Sequence, residues 1–497
     1  MRRRHGFPPR NGEKQPLSEF APAGKFGRLF PKLRPFTPSV ESLTDLGNAM
    51  SDPSPEKPEG DNLKVPAGFT YLGQFIDHDI TLDTTALQEI IVDPLAVVNF
   101  RTPMLDLDSI YGSGPEAQPY LYQLDDPDLF LIGTTNETPG TGDPKIKPSL
   151  PNDLPRLSST LAVLGDSRND ENLIVAQLHL AFLKFHNKVV AGIRDGSIKP
   201  TSSIDKSVFE QARELVIWHY QWIVIHDFLT RLIDKEQLEI VLKKGREFFS
   251  FKEQPFIPVE FAVAAYRLGH SMVRAEYDYN RVFTPRPGGV TPATLELLFA
   301  FTAKSGKLGD FANIPIPSDW IIDWRRFYEI DPAVPFNPSR KLDPFLVDPL
   351  KKLPNVPAPS SLAVRNLLRG RSVSLPSGQS VARFMRFKRL TRAEIASGPD
   401  GAVAVKHGFD IESPLWYYIL KEAQIQAQGE RLGQVGSRIL AEVFVGLLEG
   451  DSSSYLVRNP DWKPTLPAQI PGTFTMADLL KFVGDLSPID ETNNLNP

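Results

Sequence analysis

The sequence predicts a mainly α-helical protein, one large domain whose helices are joined by long loops with little β-structure. Apolar stretches of helical length recur over residues 172–193, 207–245 and 412–449, as expected of buried helices. The 46 prolines suit irregular connections, because proline interrupts a helix and removes a backbone donor. With 497 residues, 41% of them hydrophobic, the chain is long enough to bury a large core.

Residues 1–60 are predicted to form a Pro-rich arm packed on a body that extends over residues 61–497. The arm carries Arg2 to Arg4 and the proline-rich run 53–58, and only Phe26 to Phe36 offers apolar anchors. No apolar segment follows the basic start, so we expect no secretory signal peptide. The cellular compartment stays open.

Charge and composition argue against several classes of partner and site. The formal charge of -5 at pH 7 gives no support for binding nucleic acid or an anionic membrane surface. The chain has no cysteine, which excludes disulfides and thiolate metal sites. No apolar run of the roughly 18 residues that a membrane span needs is present. The sequence does not fix an oligomeric state.

The most informative stretch is Tyr71-Leu-Gly-Gln-Phe-Ile-Asp-His-Asp-Ile80. If it is helical, Gln74, Asp77 and His78 share one face, because positions i, i+3 and i+4 of a helix lie together. Asp79 then points away from His78 and offers a carboxylate to a different site. The pattern indicates one wall of an active site beside a metal site.

The next stretch, residues 101–112, contains an alternation of oxygen-bearing residues. In an extended loop alternate residues face the same side; here these are Thr102, Met104, Asp106 and Asp108. Carboxylates, a hydroxyl and a carbonyl are ligands that suit calcium, and Asp79 could complete the set. The alternative is a capped turn before a helix.

Residues 113–160 are predicted to be a long loop with short strands, and a helix follows from Asn172 to about Ile193. This helix is apolar nearly all round and should therefore be buried. Asp166 or Ser167 could cap it. Arg168 and Glu171 lie just before the first residue of this helix, where buried charges need partners. The structural alternative to a functional role is that the two residues pair with each other.

Most of the remaining histidines are interpreted as core residues. His179, His186, His219 and His226 lie on apolar helical stretches and are expected to form core hydrogen bonds rather than to bind a metal.

Within residues 258–272, Pro258 suits a helix start, and Tyr266, Arg267 and His270 would share a helix face. Gly269 leaves room beside the histidine for something bulky. His270 is therefore either a ligand or a satisfied core residue. Further helices are predicted over 291–304, 318–329, 360–369, 379–396 and 476–484, and no P-loop, Gly-x-Ser-x-Gly elbow or His-Glu-x-x-His motif is present.

Several segments, in one order, make the chain similar to the animal-type haem peroxidases of the peroxidase–cyclooxygenase superfamily, in a single-domain form of bacterial type. The segments are residues 73–79, 102–111, 165–171, 185–187, 220–227, 267–270 and 366–376. Each alone is weak, but the ordered set is specific. The resemblance implies the helical fold of that family over 61–497, with the haem between the helices near 70–82, 168–190 and 260–275.

The resemblance also implies a role for matched residues on the two faces of the haem. On the distal face, His78 resembles the distal histidine, Gln74 the glutamine above the iron, and Arg168 the distal arginine. On the proximal face, His270 resembles the iron ligand. Asn366 resembles the asparagine that orients the imidazole of that ligand.

Other matched residues concern the periphery of the haem b that the resemblance implies. Arg267 and Arg369 fall where family arginines contact the propionates. Asp77 and Glu171 match carboxylates that form ester bonds to haem methyls in mammalian members, so a covalently held haem is expected to be possible. Residue 172 is asparagine, not the methionine that forms a sulfonium bond in some members, which weighs against strong chloride oxidation.

The calcium ligands implied by the resemblance are the oxygen-bearing residues already grouped. They are Asp79, Thr102, Met104 through its carbonyl, Asp106 and Asp108. Some family members have serine at position 108, so the carboxylate here adds negative charge to the site.

The implied activity is that of a haem peroxidase, which reduces hydrogen peroxide and oxidises small donors such as phenols, iodide, bromide or thiocyanate. His78 would move a peroxide proton and Arg168 would stabilise the separating charge. Two alternatives stay open: a fatty-acid dioxygenase of the same superfamily and a non-catalytic haem-binding scaffold. The dioxygenases have a tyrosine three residues before the proximal histidine, where this chain has Arg267, with Tyr266 one residue earlier.

Overall fold

The computed structural model describes residues 26–52, 57–82, 99–136, 143, 145–157, 161–201, 206–252, 254–302, 315–353 and 358–490. The described residues form a mainly helical structure, as the sequence predicts. The first 25 residues of the predicted arm and most of its proline-rich run lie outside these ranges. Within them, no helix is long and apolar enough to cross a membrane.

The described helices of the first half of the chain include both long helices and single turns. They are α1 Val40–Ala49, α2 Gly68–Ile80, α3 Asp108–Tyr111, α4 Leu173–Arg194, α5 Val208–Ile223, α6 Leu229–Leu232, α7 Lys235–Lys244, α8 Val259–Ala262 and α9 Gly269–Met272. Those of the second half are α10 Leu295–Ala300, α11 Leu362–Ser372, α12 Gly378–Phe384, α13 Arg392–Ile395, α14 Gly401–Lys406, α15 Leu415–Ala427, α16 Gln434–Glu449, α17 Tyr455–Arg458 and α18 Met476–Val483.

The β-structure of the described residues consists of short pairs. The strands are β1 Phe26–Gly27, β2 Asp61–Pro66, β3 Arg156–Leu157, β4 Leu161–Ala162, β5 Ile257–Pro258, β6 Glu276–Tyr277, β7 Ala293–Thr294 and β8 Pro338–Arg340. β1 pairs with β5 in parallel, whereas β2 with β8, β3 with β4 and β6 with β7 are antiparallel. The pair β3–β4 adjoins the predicted long loop, which was expected to carry short strands.

The helices α4 and α16 form the centre of the core, because apolar residues cover nearly their whole circumference. Their apolar residues are almost all less than 9% exposed. The predicted cap of α4 is wrong: the Asn172 side chain accepts from the backbone N–H of Val175 at 3.0 Å. Asp166 instead caps the short 3₁₀ helix Ser167–Asp170 by accepting from the N–H of Arg168.

Several predicted helices are broken in the structure, among them 379–396, which is divided into α12 and α13. Residues 318–329 contain only the 3₁₀ turns Ser318–Trp320 and Trp324–Arg326. The stretch 258–272 is divided into α8, the 3₁₀ turn Ala265–Leu268 and α9. Because the backbone changes direction at each break, side chains of this stretch are not placed by simple helical spacing.

Residues 26–50 are integrated with the rest of the protein. Phe26, Phe30 and Leu46 are buried in the main core, and the backbone N–H groups of Leu29 and Phe30 donate to the buried carboxylate of Glu260 at 2.9 and 3.3 Å. The division of the chain at residue 60 stays a prediction.

Candidate active site

The helix α2 and the broken stretch α8–α9 face each other across a cavity of about 350 Å³. We call the α2 side, with the 3₁₀ helix Ser167–Asp170, the distal wall, and the α8–α9 side the proximal wall. The distal wall contributes Gln74, Asp77, His78, Arg168 and Glu171 to the lining, and the proximal wall contributes Tyr266, Arg267, Gly269 and His270. The structure therefore brings together residues that are almost 200 positions apart in the sequence.

Helix α2 carries polar residues on two faces, as its spacing predicts. Gln74, Asp77 and His78 line the cavity, whereas Asp79 does not and is completely buried elsewhere. Gly68 lets the start of the helix pack closely, because a Cβ there would lie 2.4 Å from the Tyr328 ring. This close packing fixes the helix that presents the polar residues.

His78 is held in a defined orientation by Asn169. Its Nδ1 lies 2.8 Å from Asn169 Oδ1, and because that oxygen only accepts, Nδ1 carries the proton and Nε2 keeps its lone pair. Nε2 lies 3.6 Å from Glu171 Oε2, which is too far for a hydrogen bond. Burial and then the charge of Arg168 lower the pKa of His78 to about 3. The ring is therefore a neutral base at physiological pH.

Arg168 is fixed by Asp166 and by the end of α2. Its Nε and Nη2 donate to the two carboxylate oxygens of Asp166 at 3.1 and 2.8 Å, a bidentate arrangement. Nη2 also donates to the backbone carbonyls of His78 and Thr81, where a cation is favourable at a helix C-terminus. Burial opposes ionisation of Asp166, but Arg168 and Arg101 outweigh it and hold the Asp166 pKa well below its usual range.

The carboxyl groups of Asp77 and Glu171 both line the distal wall. Asp77 accepts from the Thr81 hydroxyl at 3.0 Å, and burial raises its pKa although Arg168 opposes the shift. Arg168 makes no ion pair with Glu171 among the described contacts, so the simple mutual pairing of these two residues is not observed.

Gln74 is oriented by Asn172. The Nδ2 of Asn172 donates to Gln74 Oε1 at 2.9 Å, while Asn172 Oδ1 caps α4. With its oxygen occupied by this donor, Gln74 has its amide nitrogen available for a ligand in the cavity. Asn172, which stands where some family members have methionine, thus both orients Gln74 and caps α4.

The proximal wall presents a single imidazole, that of His270. Its Nδ1 lies 2.7 Å from Asn366 Nδ2, and within the described part of the chain Nε2 has no hydrogen-bond partner. Burial and then Arg267 lower the pKa of His270 to about 3, so the ring is neutral. A Cβ at Gly269 would meet nothing within 4 Å, which confirms the expected open space beside the histidine.

Asn366 connects His270 with Arg267. Its Oδ1 accepts from Arg267 Nη1 at 2.7 Å, so the amide turns its nitrogen towards the histidine. Arg267 also donates from Nε to the carbonyl of Ala262 at 3.2 Å and lines the cavity. Arg369 is buried one turn after Asn366 on α11, but it does not contribute to the lining.

On the other face of α2, three carboxylates meet. One oxygen from each of Asp79, Asp106 and Asp108 lies within 4.8 Å of the others. Burial, and then Asp108 and Asp106, raise the pKa of Asp79, as expected of like charges placed together. The Thr102 hydroxyl donates to Asp108 at 3.0 Å, and the Met104 N–H donates to the Thr102 carbonyl at 2.8 Å, so all five predicted residues lie in one region.

This acid cluster is connected to Arg168. Arg101 donates to Asp108 at 3.2 Å through Nη1 and to Asp166 at 2.9 Å through Nε, and Asp166 holds Arg168. The loop also leads into α3, as the alternative interpretation expected, but Leu107 precedes it in the left-handed conformation (φ 54°) without a side-chain cap.

The other histidines mostly form core hydrogen bonds, as predicted. His186 contacts the Tyr111 hydroxyl and the Asp128 carbonyl, both at 2.9 Å. His219 donates from Nδ1 to the Leu215 carbonyl at 2.7 Å and accepts at Nε2 from the backbone N–H of Thr465 at 3.4 Å. His226 forms the predicted hydrogen bond, to the Tyr455 hydroxyl at 3.2 Å, but the residue is exposed and not part of the core. His179 is a core residue that also contacts the distal wall, because its Nδ1 lies 2.9 Å from Asn169 Nδ2.

The geometry defines a helical protein with a buried cavity between two neutral histidines, one backed by polar proton-handling groups. The family model for the animal haem peroxidase matches residues 83–459. Chorion peroxidase of Drosophila melanogaster is 24% identical over 372 residues, covering 71% of this chain and 42% of that protein. Human lactoperoxidase is 30% identical over 227 residues, covering 43% of this chain and 30% of that protein. The chain thus spans less than half the length of these curated relatives.

Solved structures share the fold. Peroxidase A of Dictyostelium discoideum superimposes with a TM-score of 0.61 at 18% identity, covering 95% of this chain and 94% of that one. A fatty acid alpha-dioxygenase of Oryza sativa gives a TM-score of 0.57 at 14% identity, covering 93% of this chain and 80% of that one. Since the family model covers more than half of the sequence, this chain belongs to the animal haem peroxidase family. Membership implies a haem cofactor.

The cavity fits the implied haem on three observations. The Nε2 of His270 has no hydrogen-bond partner among the described residues, and Gly269 leaves space beside the ring. The hydroxyl of Thr70, which lines the distal wall two turns before His78, is buried without a hydrogen-bond partner among the described residues. A buried hydroxyl of this kind costs about 1–3 kcal/mol, so a bound group that pairs with it is favoured.

Proposed function

We propose that this protein is a haem-dependent peroxidase that reduces hydrogen peroxide and oxidises small donors such as phenols, iodide, bromide or thiocyanate. The observation that carries the proposal is the neutral Nε2 of His78, which faces the cavity opposite His270, with Arg168 fixed beside it. Haem held by His270 would supply an iron centre that accepts two oxidising equivalents from peroxide and passes them to the donor. The proposal includes no nucleic-acid partner and no membrane span.

On the distal wall, His78 takes the proton from one peroxide oxygen and returns it to the other, which leaves as water. Its pKa of about 3 keeps the base form populated over the physiological range. The guanidinium of Arg168 stabilises the charge that separates as the O–O bond breaks. Asn172 keeps the Gln74 oxygen occupied, so the Gln74 amide nitrogen is the donor offered to peroxide.

On the proximal wall, a metal-bound imidazole needs an acceptor for its Nδ1 proton, whereas Asn366 turns a donor towards His270. A half-turn of the Asn366 amide supplies that acceptor, and Arg267 must then exchange the amide oxygen for another acceptor. A carboxylate of the porphyrin is the natural replacement. Arg267 is therefore assigned to a propionate; Arg369 does not line the cavity, and its contact with a propionate stays a prediction.

Asp77 and Glu171 are assigned to ester bonds with the haem b. Asp77 lines the cavity, and burial raises the pKa of its carboxyl although Arg168 opposes the shift. Glu171 is 36% exposed and is the weaker candidate of the two. Mass spectrometry of tryptic peptides after haem loading tests both assignments.

Calcium is assigned to the acid cluster, with Asp79, Thr102, Met104 through its carbonyl, Asp106 and Asp108 as ligands. The support is the convergence of three carboxylates, where burial and then repulsion from Asp108 and Asp106 raise the pKa of Asp79. A cation bound there relieves this repulsion, and hard oxygen ligands suit calcium.

The fatty-acid dioxygenase is the alternative, and Tyr266 is its candidate radical residue. The Tyr266 hydroxyl donates to the Gly73 carbonyl at 3.1 Å. A backbone carbonyl is not a base that takes up the phenolic proton, so this contact disfavours oxidation of Tyr266. The position three residues before His270 is occupied by Arg267, which cannot serve as a radical.

The test compares peroxide-dependent oxidation of a phenol with oxygen uptake in the presence of linoleate, using the haem-loaded full chain. We expect phenol oxidation that requires peroxide, slowed about 10²–10⁴-fold by His78→Gln and unchanged by the surface control His226→Gln. Oxygen uptake with linoleate that Tyr266→Phe abolishes would instead assign the dioxygenase. If the protein binds haem but shows neither activity, it is a non-catalytic haem-binding scaffold.

A further inference from the structure

A chain of three buried side chains leads from the cavity into the core. His78 Nδ1 lies 2.8 Å from Asn169 Oδ1, and Asn169 Nδ2 lies 2.9 Å from His179 Nδ1. All three side chains are at most 4% exposed. The ring of His179 packs edge to face on Phe75 of α2, with ring centres 6.3 Å apart.

The amide couples the proton positions of the two histidines. An amide has one accepting end and one donating end, so Asn169 accepts from one Nδ1–H and donates to the other Nδ1. Exactly two proton arrangements satisfy all three residues. In one, His78 has Nδ1–H and an open Nε2; in the other, the amide is reversed, His179 has Nδ1–H and the Nε2 of His78 carries the proton.

Only the first arrangement leaves a base in the cavity. We infer that His179, acting through Asn169, is a positioning residue that holds His78 in the Nδ1–H form. This inference rests on the proposed function of His78 as the base that accepts a peroxide proton.

The competing contact at Nε2 is too weak to reverse the arrangement. Glu171 Oε2 lies 3.6 Å from His78 Nε2, beyond hydrogen-bond distance, whereas both contacts of Asn169 are within 3 Å. Without His179 the buried Asn169 amide nitrogen would lose its acceptor, and the amide would no longer be held between two hydrogen-bonded rings. His179 thereby acts on the base without touching the cavity.

Neutron diffraction from the deuterated, haem-loaded full chain reads the arrangement directly. The inference expects deuterium on Nδ1 of His78 and on Nε2 of His179, with Asn169 Oδ1 towards His78. Deuterium on Nε2 of His78, or the same tautomer in both rings, would overturn it.

Kinetics tests whether the arrangement matters for peroxide. His179→Leu should slow the reaction with peroxide about 10–100-fold, the range for loss of a hydrogen bond that orients a functional group, while oxidation of the phenol by the peroxide-treated enzyme keeps its rate. His186→Leu is the matched control, since it removes another buried, hydrogen-bonded histidine of α4 but contacts no residue of this chain of three. His179→Gln keeps an acceptor for Asn169 and should restore most of the rate.

A double variant separates positioning from a structural effect. Asn169→Asp accepts from His78 Nδ1–H whichever form His179 takes, so in the Asn169→Asp background His179→Leu should have less than a threefold effect. Equal losses in His179→Leu and His186→Leu, or no rescue by the carboxylate, would overturn the inference. If the wild-type enzyme does not react with peroxide, the proposed function fails, whereas the proton positions seen by neutrons still decide the coupling of the two histidines.

Discussion

The two walls of the cavity are built from different backbone and carry different chemistry. The distal wall rests on one continuous helix, α2, whose cavity face has polar residues at successive turns and is braced by the 3₁₀ helix Ser167–Asp170. The proximal wall is a chain segment broken twice between Val259 and Met272, and it offers one imidazole. The distal side therefore has several groups that hold or move protons, whereas the proximal side has one ligand position.

This difference indicates what each wall must do. Proton transfer needs groups at fixed mutual positions, which a continuous helix and the bidentate Arg168–Asp166 pair provide. A ligand position needs only one well-directed nitrogen and a second residue that controls its proton. Changes on the proximal wall should therefore affect haem retention, and changes on the distal wall should affect the rate with peroxide.

The largest expected effect is that of His270→Ala. Removing the only imidazole of the proximal lining should abolish stoichiometric haem binding while the chain still folds, because His270 contributes one hydrogen bond to the protein. Absorbance in the Soret region per mole of protein, with circular dichroism for folding, is the measurement. Full haem retention with an unchanged Soret position would contradict the assignment of the proximal wall.

Substitution of Asn366 should give a smaller loss on the same wall. Asn366→Leu leaves His270 Nδ1 and Arg267 without the amide and should weaken haem binding about 10–100-fold. Asn366→Asp presents an acceptor in either orientation and should retain haem, with a lower reduction potential because the carboxylate makes the imidazole more electron-donating. Competition with apomyoglobin and a spectroelectrochemical titration measure the two quantities. If Asn366→Leu slowed the reaction with peroxide without weakening haem binding, the division of roles between the two walls would be wrong.

Acid should destabilise the protein through its buried histidines, of which His186 is the cleanest case. Burial lowers the pKa of His186 to about 4, below the value of about 6.5 of an unfolded histidine. Between these values the unfolded chain binds the proton and the folded chain does not, so stability falls as the pH falls from about 6.5 to about 4. The limiting slope is about 1.4 kcal/mol per pH unit for one histidine. In His186→Gln the free energy of unfolding should depend less steeply on pH, and an unchanged slope would contradict the assignment.

The smallest expected effect joins the acid cluster to the distal wall. Calcium at Asp79, Asp106 and Asp108 should stabilise the fold, by about 2.7 kcal/mol at a hundredfold excess over its dissociation constant. Because Arg101 bridges Asp108 and Asp166, removal of calcium should also slow the peroxide reaction by a few-fold, a coupling of about 1 kcal/mol. Melting temperatures and peroxide rates with EDTA or added calcium test this, with Asp106→Asn as the variant. A melting temperature that does not change with calcium would contradict the assignment of a calcium site to the acid cluster.

The sequence was sufficient where one regular element carries the residues. The spacing of Gln74, Asp77, His78 and Asp79 is a property of a single helix, and the structure divides these residues between two faces as expected. The buried helix α4 was likewise evident from its apolar circumference. These predictions needed no knowledge of which other segments lie nearby.

The sequence was insufficient where a contact joins distant segments or depends on irregular backbone. Asn169 and Asn172 gave no periodic signal, because their importance comes from His78 and Gln74 on another helix. The break in residues 258–272 could not be read from its composition, which is that of an ordinary helix. His226 was assigned to the core since its neighbours are apolar, but the π-helical turn Val224–Phe228 changes the side-chain register from that of an α-helix.

The measurement that tests the central claim most directly is stopped-flow absorbance of the haem-loaded protein mixed with hydrogen peroxide, for the wild type, His78→Gln and Asn366→Asp. The account predicts a rapid fall of Soret absorbance in the wild type, reversed by a phenol, and a fall slowed about 10²–10⁴-fold in His78→Gln. Asn366→Asp should retain a rate within about tenfold of the wild type. A Soret band indifferent to peroxide in the wild type, or equal rates in the wild type and His78→Gln, would contradict it.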